Sequence, residues 1–186
     1  MKVEETKLPE VLVLQPELFD DERGFFLETW KSTRYESVGI RGPFVQDNIS
    51  FSKKGVLRGL HFQYPQSQAK LIQVLSGEVL DVAVDIRVDS PTFGQWVTAV
   101  LSGTNHSQLY IPPGFAHGYC VTSDTALFTY KCTDFYNPSA ERGIIWNDPD
   151  LNIHWPIKKP LLSSKDANYP RLKDLPPDKL PHFGRP

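Results

Sequence analysis

The sequence has no uninterrupted run of about eighteen apolar residues, the length that a membrane-spanning helix needs, so we expect no membrane span. Residues 1–7 also lack the apolar segment of a secretory signal, and we therefore expect a cytoplasmic protein. The formal net charge is only -2, which provides no general attraction to nucleic acid or to an anionic membrane surface. We expect neither as a partner.

Cysteine is scarce as well. Only 2 cysteines are present, Cys120 and Cys132, and both lie in apolar, strand-like stretches. Two cysteines cannot build a cysteine-rich zinc site. The pattern predicts buried free thiols in a reducing compartment.

Proline and phenylalanine, by contrast, are abundant, with 16 and 11 copies among 186 residues. Helical bundles seldom carry this much proline, whereas proteins made of strands and turns do. The length and the hydrophobic content of 40% suit one domain with a sizeable core. We expect a single domain over residues 1–186, with its core at about 8–170 and a Pro-rich, extended tail at 171–186.

Short apolar stretches separated by turn signals predict a series of strands, which favours an antiparallel sandwich or barrel. The predicted strands span residues 11–14, 24–29, 44–51, 56–63, 70–75, 78–86, 95–101, 108–111, 118–122 and 126–134. Ser76-Gly77, between two of them, is typical of a two-residue hairpin. Residues 30–39 could form one short helix with Ser32 as its cap and Gly39 as its stop, and residues 163–166 resemble a helix start.

His61 is the first candidate for chemistry, because it lies in an apolar strand between Leu60 and Phe62. A lone histidine in a strand is more often a core residue than a functional one. Gly59, however, predicts a bulge, since glycine inside a strand often marks one. A bulge would let Arg58 and His61 face the same cavity despite their opposite positions in the strand alternation.

A metal site at His61 is not expected. Metal-binding barrels of the cupin type use a His-x-His pair, a following glutamate and a later histidine. Here Gln63 stands two residues after His61, and His117 is the only downstream histidine in a strand-and-turn context. Two histidines without a well-spaced carboxylate make a poor metal site.

Without a metal, a buried imidazole can act as a general base, with a carboxylate on its other ring nitrogen. Asp81, Asp85 and Asp166 are all candidates for that carboxylate, although the first two could equally form an outward, solvated strand face. Tyr130 could donate a proton, but a tyrosine in a strand is more often a core residue.

Basic and aromatic side chains could bind a phosphorylated ligand. The basic candidates are Arg23, Arg58 and Lys70, and the aromatic side chains that could stack on a base or sugar ring are Phe19, Phe25, Phe26 and Tyr136.

The strongest signal is a series of segments in a fixed order. They are FDDERGFFLE (19–28), FVQDN (44–48), GVLRGLHFQ (55–63), KLIQV (70–74), GEVLDVAVDIR (77–87), SPTFG (90–94), IPPGFAHG (111–118), YKCTDFYNP (130–138), WNDP (146–149) and SKD (164–166). Together they closely resemble the dTDP-4-dehydrorhamnose 3,5-epimerase family over nearly all of residues 8–170. The Pro-rich ending after Pro170 is not part of this pattern.

The resemblance implies an all-β, cupin-type jelly roll with a few short helices, which works as a homodimer without a metal or cofactor. It implies conversion of dTDP-4-dehydro-6-deoxy-D-glucose to dTDP-4-dehydro-β-L-rhamnose, in the biosynthesis of dTDP-L-rhamnose. It also implies that pocket residues are shared between subunits, with the segment 19–28 as the part that reaches the neighbour.

The resemblance further assigns roles by position. His61 would be the proton acceptor with Asp166 as its partner, Tyr130 would be the proton donor, and Lys70 would hold charge at the C4 oxygen. Tyr136 would stack on thymine. Substrate contacts would come from Arg23, Glu28, Gln46, Asn48, Arg58, His117, Glu141 and Lys165, with Asp47 inside the same stretch and Phe19 in the segment that reaches the neighbour.

Three other functions remain open from the sequence. A relative that epimerises only C3 would use the same base and acid. A metal-dependent cupin enzyme is a second alternative, although Gln63 argues against it. A carbohydrate-binding β-module without catalysis is the third, and it predicts that replacing His61 has no effect on function.

Overall fold

The computed structural model describes residues 1–184, and strands make up nearly all of its regular structure. The strands are β1 (Lys2–Glu5), β2 (Leu12–Gln15), β3 (Leu18–Asp21), β4 (Gly24–Leu27), β5 (Gln46–Lys53), β6 (Leu57–Gln63), β7 (Lys70–Ser76), β8 (Glu78–Asp85), β9 (Trp96–Ser102), β10 (Gln108–Ile111), β11 (Phe115–Val121), β12 (Thr125–Cys132) and β13 (Glu141–Gly143). One short helix, α1 (Ser32–Glu36), and 3-10 turns at Leu172–Asp174 and Pro177–Lys179 complete it. The predicted all-β class with a few short helices is confirmed.

Two antiparallel sheets face each other, as in a jelly roll. One has the strand order β1-β2-β10-β7-β12-β5 and the other has the order β13-β6-β11-β8-β9, while β3 and β4 form a separate hairpin. The main core lies between the sheets, where Phe128 of β12 stacks on Tyr119 of β11 with ring centroids 4.0 Å apart. Because both sheets contribute to this layer, their inward side chains are removed from water and drive the association.

The five-stranded sheet is covered on its other face too, partly by the C-terminal tail. Leu172 and Leu180 pack with Val82, Val84 and other residues of that face in a second buried cluster. The tail backbone is also fixed, since the Val88 N–H donates to the Pro181 carbonyl at 2.8 Å. The tail is therefore a cover of the sheet rather than a loose end. Its last two residues, 185 and 186, lie outside the described residues.

The hairpin predicted at Ser76-Gly77 is wrong. β7 pairs with β10 and β12, whereas β8 pairs with β11 and β9, so the two strands belong to different sheets. The turn itself exists: Gly77 has a φ of +80°, and a Cβ there would overlap the Thr125 carbonyl oxygen. Local residues predicted the turn, but the packing of the two sheets decided which strands it joins.

Other local predictions need smaller corrections. Helix α1 is shorter than predicted, and Lys31, not Ser32, is its N-cap, without a side-chain cap hydrogen bond. Residues 163–166 form a turn instead of a helix, in which the Asp166 N–H donates to Ser163 Oγ at 3.1 Å. The predictions omitted β1, β3 and β13, which are short and mostly exposed or half-buried.

Both cysteines are buried free thiols, as predicted. In residues 1–184, no helix has the length and apolar character needed to cross a membrane.

Candidate active site

A bulge in β6 brings two predicted site residues to one side of the sheet. Opposite β11, His61 pairs with His117 and Arg58 pairs with Tyr119, so three residue steps on β6 face two on β11. Gly59 lies within the bulge and has a φ of +132°. A Cβ at this position would lie 2.9 Å from the His117 carbonyl oxygen. The bulge predicted from Gly59 is confirmed, and Arg58 and His61 line the same cavity.

His61 is held by Asp166. Its Nε2 lies 2.5 Å from Asp166 Oδ1, and the carboxylate side chain is only 5% exposed against 30% for the imidazole. Burial would raise the pKa of Asp166, but the contact with His61 and other nearby groups outweigh it and hold that pKa below its usual value. The carboxylate thus stays ionised near neutral pH, and it occupies the Nε2 side of the imidazole, away from Nδ1.

Tyr130 lies on the opposite sheet from His61. It is on β12, paired with Asn48 of β5 and Ile72 of β7, and it lines the same cavity as His61. Burial raises the pKa of Tyr130 to about 12, so its phenol is protonated at neutral pH. A protonated phenol and an imidazole therefore occupy two facing walls of one cavity.

Lys70 begins β7 and supplies a cation to this cavity. Burial lowers the pKa of Lys70, and the neighbouring Cys132, Asp81 and Glu141 act in the opposite direction. Within residues 1–184 its ammonium group makes no salt bridge or hydrogen bond to another side chain. A desolvated, unpaired ammonium is well suited to stabilise negative charge that develops on a bound ligand.

A second histidine–aspartate pair lies deeper in the barrel. His117 Nε2 is 3.0 and 3.1 Å from the two carboxylate oxygens of Asp81, and both side chains are almost fully buried. Burial raises the pKa of Asp81 and lowers that of His117. Asp85 is buried as well and binds Arg87, Ser90 and Thr92. The predicted alternative of a solvated strand face for Asp81 and Asp85 is therefore wrong, and neither contacts His61.

Three charged or polar side chains form a network near the cavity entrance. The Tyr136 hydroxyl donates to Glu141 Oε2 at 2.7 Å, and Lys165 forms an ion pair with the same carboxylate. The Tyr136 backbone N–H donates to Gln46 Oε1 at 2.8 Å. Tyr136 itself is 52% exposed, so its side chain is accessible to a ligand.

The central cavity has a volume of about 300 Å³, with a deeper extension of about 200 Å³ towards His117. Predicted site residues that line it are Gln46, Asn48, Arg58, His61, Lys70, His117, Tyr130, Tyr136 and Glu141. Sequence reasoning had not assigned Gln63, Gln68 or Cys132, which also line it. Gln63 could have been found from strand alternation, because it stands two residues after His61 and so shares its face.

Four of the substrate-contact residues implied by the resemblance lie away from the central cavity of this chain. Phe19 and Arg23 are on the β3–β4 hairpin, where Arg23 is exposed and bonded to Asp21. Glu28 pairs with Arg34 at 2.9 Å. Asp47 points outward from β5, between the inward Gln46 and Asn48, and pairs with Lys131 at 2.9 Å. Side chains alternate between the two faces of a strand, so Asp47 lies on the surface while its two neighbours line the cavity.

The described part of the chain contains no set of side chains suited to bind a metal ion. Across residues 1–184 no group of three or more His, Cys, Asp or Glu side chains could hold a metal ion.

Comparison with known proteins decides the family. The family model described as dTDP-4-dehydrorhamnose 3,5-epimerase matches residues 5–174. The chain belongs to this family. A protein of that name from Shigella flexneri is 54% identical over 176 residues, which cover 94% of this chain and 97% of that protein. Membership confirms the recognition from ordered motifs and the predicted class of enzyme, an epimerase of the isomerase class.

Solved structures support the same family. The structure of dTDP-6-deoxy-D-glucose-3,5-epimerase from Legionella pneumophila, in complex with dTDP-4-keto-L-rhamnose, has a TM-score of 0.97 and 50% identity and covers 99% of both chains. ChmJ, a 3'-monoepimerase from Streptomyces bikiniensis in complex with dTDP-quinovose, has a TM-score of 0.85 and 32% identity, over 91% of this chain and 87% of that chain. The predicted jelly-roll fold of this family member is confirmed.

Proposed function

We propose that this family member epimerises C3 and C5 of dTDP-4-dehydro-6-deoxy-D-glucose to give dTDP-4-dehydro-β-L-rhamnose, within dTDP-L-rhamnose biosynthesis. One observation carries the proposal. His61, bonded to Asp166, and Tyr130 stand on facing sheets of one cavity that also contains the unpaired ammonium of Lys70.

The chemistry follows from the position of the ketone. Hydrogens at C3 and C5 flank the C4 carbonyl, so removing either one gives an enolate with charge on the C4 oxygen. His61 accepts the proton from one face of the ring, and Tyr130 returns a proton to the other face. Exchange with solvent then removes the proton from His61 and restores the one on Tyr130, so that both groups are reset before the second carbon reacts. Lys70 stabilises the enolate oxygen, because its desolvated ammonium gains most when that charge develops. No metal or cofactor enters these steps.

The remaining cavity residues bind the nucleotide sugar. Arg58 and His117 line the inner part, and Gln46 and Asn48 line the outer part. At the entrance, the exposed ring of Tyr136 stacks on thymine, held in place by Glu141 and in turn by Lys165.

We propose a homodimer in which the β3–β4 hairpin completes the partner's site. Phe25 and Phe26 on this hairpin are 59% and 68% exposed, although apolar aromatic side chains are normally buried. Strand β5, at an edge of the six-stranded sheet, also exposes Ile49 and Phe51. A second copy of the chain would cover these residues and bring Arg23, Glu28 and Phe19 to a site that they do not reach within their own chain.

Mixing two inactive variants tests the shared site. We expect Arg23→Ala and His61→Asn to be inactive alone. After subunit exchange, half of the dimers would combine one of each chain and carry one intact site, so that about a quarter of the wild-type activity returns. Activity that does not return, although native mass spectrometry shows mixed dimers, would contradict the shared site.

The proposal also includes the domain organisation of the chain and its cellular location. We propose that residues 1–186 act as one domain, supported by the contacts of the tail with the five-stranded sheet. We also propose a cytoplasmic location, where the two free thiols of Cys120 and Cys132 remain reduced.

Incubation with substrate in D₂O tests the reaction and separates the alternatives. We expect deuterium at both C3 and C5 by mass spectrometry and NMR. Deuterium at C3 alone would indicate the 3'-monoepimerase activity that the likeness to ChmJ keeps as the second candidate. In the His61→Asn variant we expect near-complete loss of turnover with retained dTDP binding, and unchanged turnover would eliminate the proposed base.

A further inference from the structure

Tyr169 packs against the imidazole of His61. Its ring lies at 69° to the His61 ring with centroids 5.8 Å apart, a T-shaped arrangement. Tyr169 also follows Asp166 by three residues, just after the turn that begins at Ser163. The same short segment therefore supplies the carboxylate that binds the imidazole and an aromatic ring that packs on it.

The strand beside His61 leaves room for this ring. Gly143 of β13 is the direct cross-strand neighbour of His61, and a Cβ at Gly143 would overlap ring carbons of Tyr169. No left-handed backbone requires glycine at this position. The backbone after Tyr169 is fixed as well, because the Ile145 N–H donates to the Pro170 carbonyl at 2.8 Å. The absent side chain at Gly143 is thus explained by the ring that occupies its space.

The contact of Tyr169 with the site runs through its ring rather than its hydroxyl. Among residues 1–184 the buried Tyr169 hydroxyl makes no hydrogen bond to His61 or Asp166, and Lys165 is the one donor that approaches it. Burial raises its pKa to about 12; Glu141 and Asp166 act in the same direction and Lys165 in the opposite one. The hydroxyl is therefore neutral at physiological pH and makes no directed contact that could hold His61.

We propose that Tyr169 is a positioning residue for the His61–Asp166 pair. Its ring, seated over Gly143, prevents the imidazole from turning away from the carboxylate and keeps water from that side of the hydrogen bond. This inference rests on the proposed function, in which His61 must present its other nitrogen to the sugar. A shift of about 1 Å in a reacting group can reduce a rate about 100-fold, so removing the ring should lower kcat measurably.

Variants that separate ring from hydroxyl test the proposal. For Tyr169→Ala we expect kcat to fall about 10- to 100-fold while KM changes by less than about threefold. The downfield proton NMR signal of the His61–Asp166 hydrogen bond should disappear. Tyr169→Phe keeps the ring and should restore both kcat and the signal.

Tyr110→Ala is the matched control, because Tyr110 is a half-buried tyrosine in another cluster, on β10. It should lower thermal stability without affecting kcat or the downfield signal. A Tyr169→Ala variant that retains the signal and wild-type kcat would overturn the proposal. So would an equal loss in Tyr169→Phe, which would assign the effect to the hydroxyl.

A double variant tests the packing with Gly143. Gly143→Ala alone should displace the ring and reduce kcat, whereas Gly143→Ala added to Tyr169→Ala should cost little more, because the Cβ fills vacated space. Losses that simply multiply would contradict this coupling. The NMR signal requires no turnover, so it reports on Tyr169 even if the wild-type protein shows no epimerisation and the proposed function fails.

Discussion

Replacing Asp166 by asparagine should strongly reduce kcat while leaving the affinity for dTDP nearly unchanged. Asparagine preserves the shape of the side chain but removes the charge that lies 2.5 Å from His61 Nε2. A hydrogen bond to a charged group contributes about 1.5–3 kcal/mol, which corresponds to a factor of about 10–150 in rate. The buried position of Asp166, with 5% of its side chain exposed, prevents water from replacing the lost charge.

The tautomer of His61 adds to this loss. An asparagine amide would donate to Nε2, so the proton would move to Nδ1, the atom that must accept a proton from the sugar. In serine proteases the equivalent change from aspartate to asparagine costs about 10⁴-fold in kcat for this reason. We therefore expect kcat of Asp166→Asn to fall by about 10²- to 10⁴-fold.

The assay follows deuterium uptake from D₂O at steady state, with dTDP affinity measured by calorimetry. The dTDP affinity should stay within about threefold of the wild-type value, because the change removes a transition-state interaction. Asp148→Asn is the control, since Asp148 is also a buried carboxylate but accepts the N–H groups of Asp150 and Leu172. It should reduce stability only. A kcat of Asp166→Asn within about threefold of wild type would refute the reasoning.

Three further changes test the acid, the bulge and a buried ion pair. Tyr130→Phe removes the proton donor. We expect His61-dependent deuterium exchange to continue in the recovered substrate, while the amount of inverted product measured by NMR falls about 10²- to 10⁴-fold. Normal inversion would exclude Tyr130 as the acid. Gly59→Ala should cost about 3 kcal/mol, or roughly 6–12 °C in Tm by calorimetry, because the Cβ would strain a φ of +132° and meet the neighbouring strand; an unchanged Tm would contradict this. Asp85→Asn should cost about 3 kcal/mol at pH 7 in denaturant unfolding. Burial opposes ionisation of Asp85, but hydrogen bonds from Arg87 and its neighbours hold the pKa of Asp85 below its usual value. The stabilisation is therefore present above the ordinary pKa of about 4 and is lost as pH falls through the pKa of the folded protein. A difference in unfolding free energy between Asp85→Asn and wild type that increases in acid would contradict this.

Strand positions were predictable because they depend on local alternation of apolar residues. Strand β10 was predicted at the observed residues, and β6 within one residue of its start. The bulge at Gly59 was also predictable, since glycine in an apolar strand is a local signal. Strands β1 and β13 were missed because their exposed or half-buried residues carry little apolar pattern, and they form only by adding to the edge of an existing sheet.

The sequence by itself determined the all-β class, the family and the identity of the candidate base, acid and cation, because ordered motifs and strand periodicity are written along the chain. Pairing between distant residues was decided only by the tertiary structure. From residue types alone, Asp81, Asp85 and Asp166 were all candidates for the partner of His61. The family resemblance singled out Asp166, and the fold places it against His61, 105 residues away. Tyr169 had no sequence signal at all, because its role depends on a space left by Gly143 on another strand.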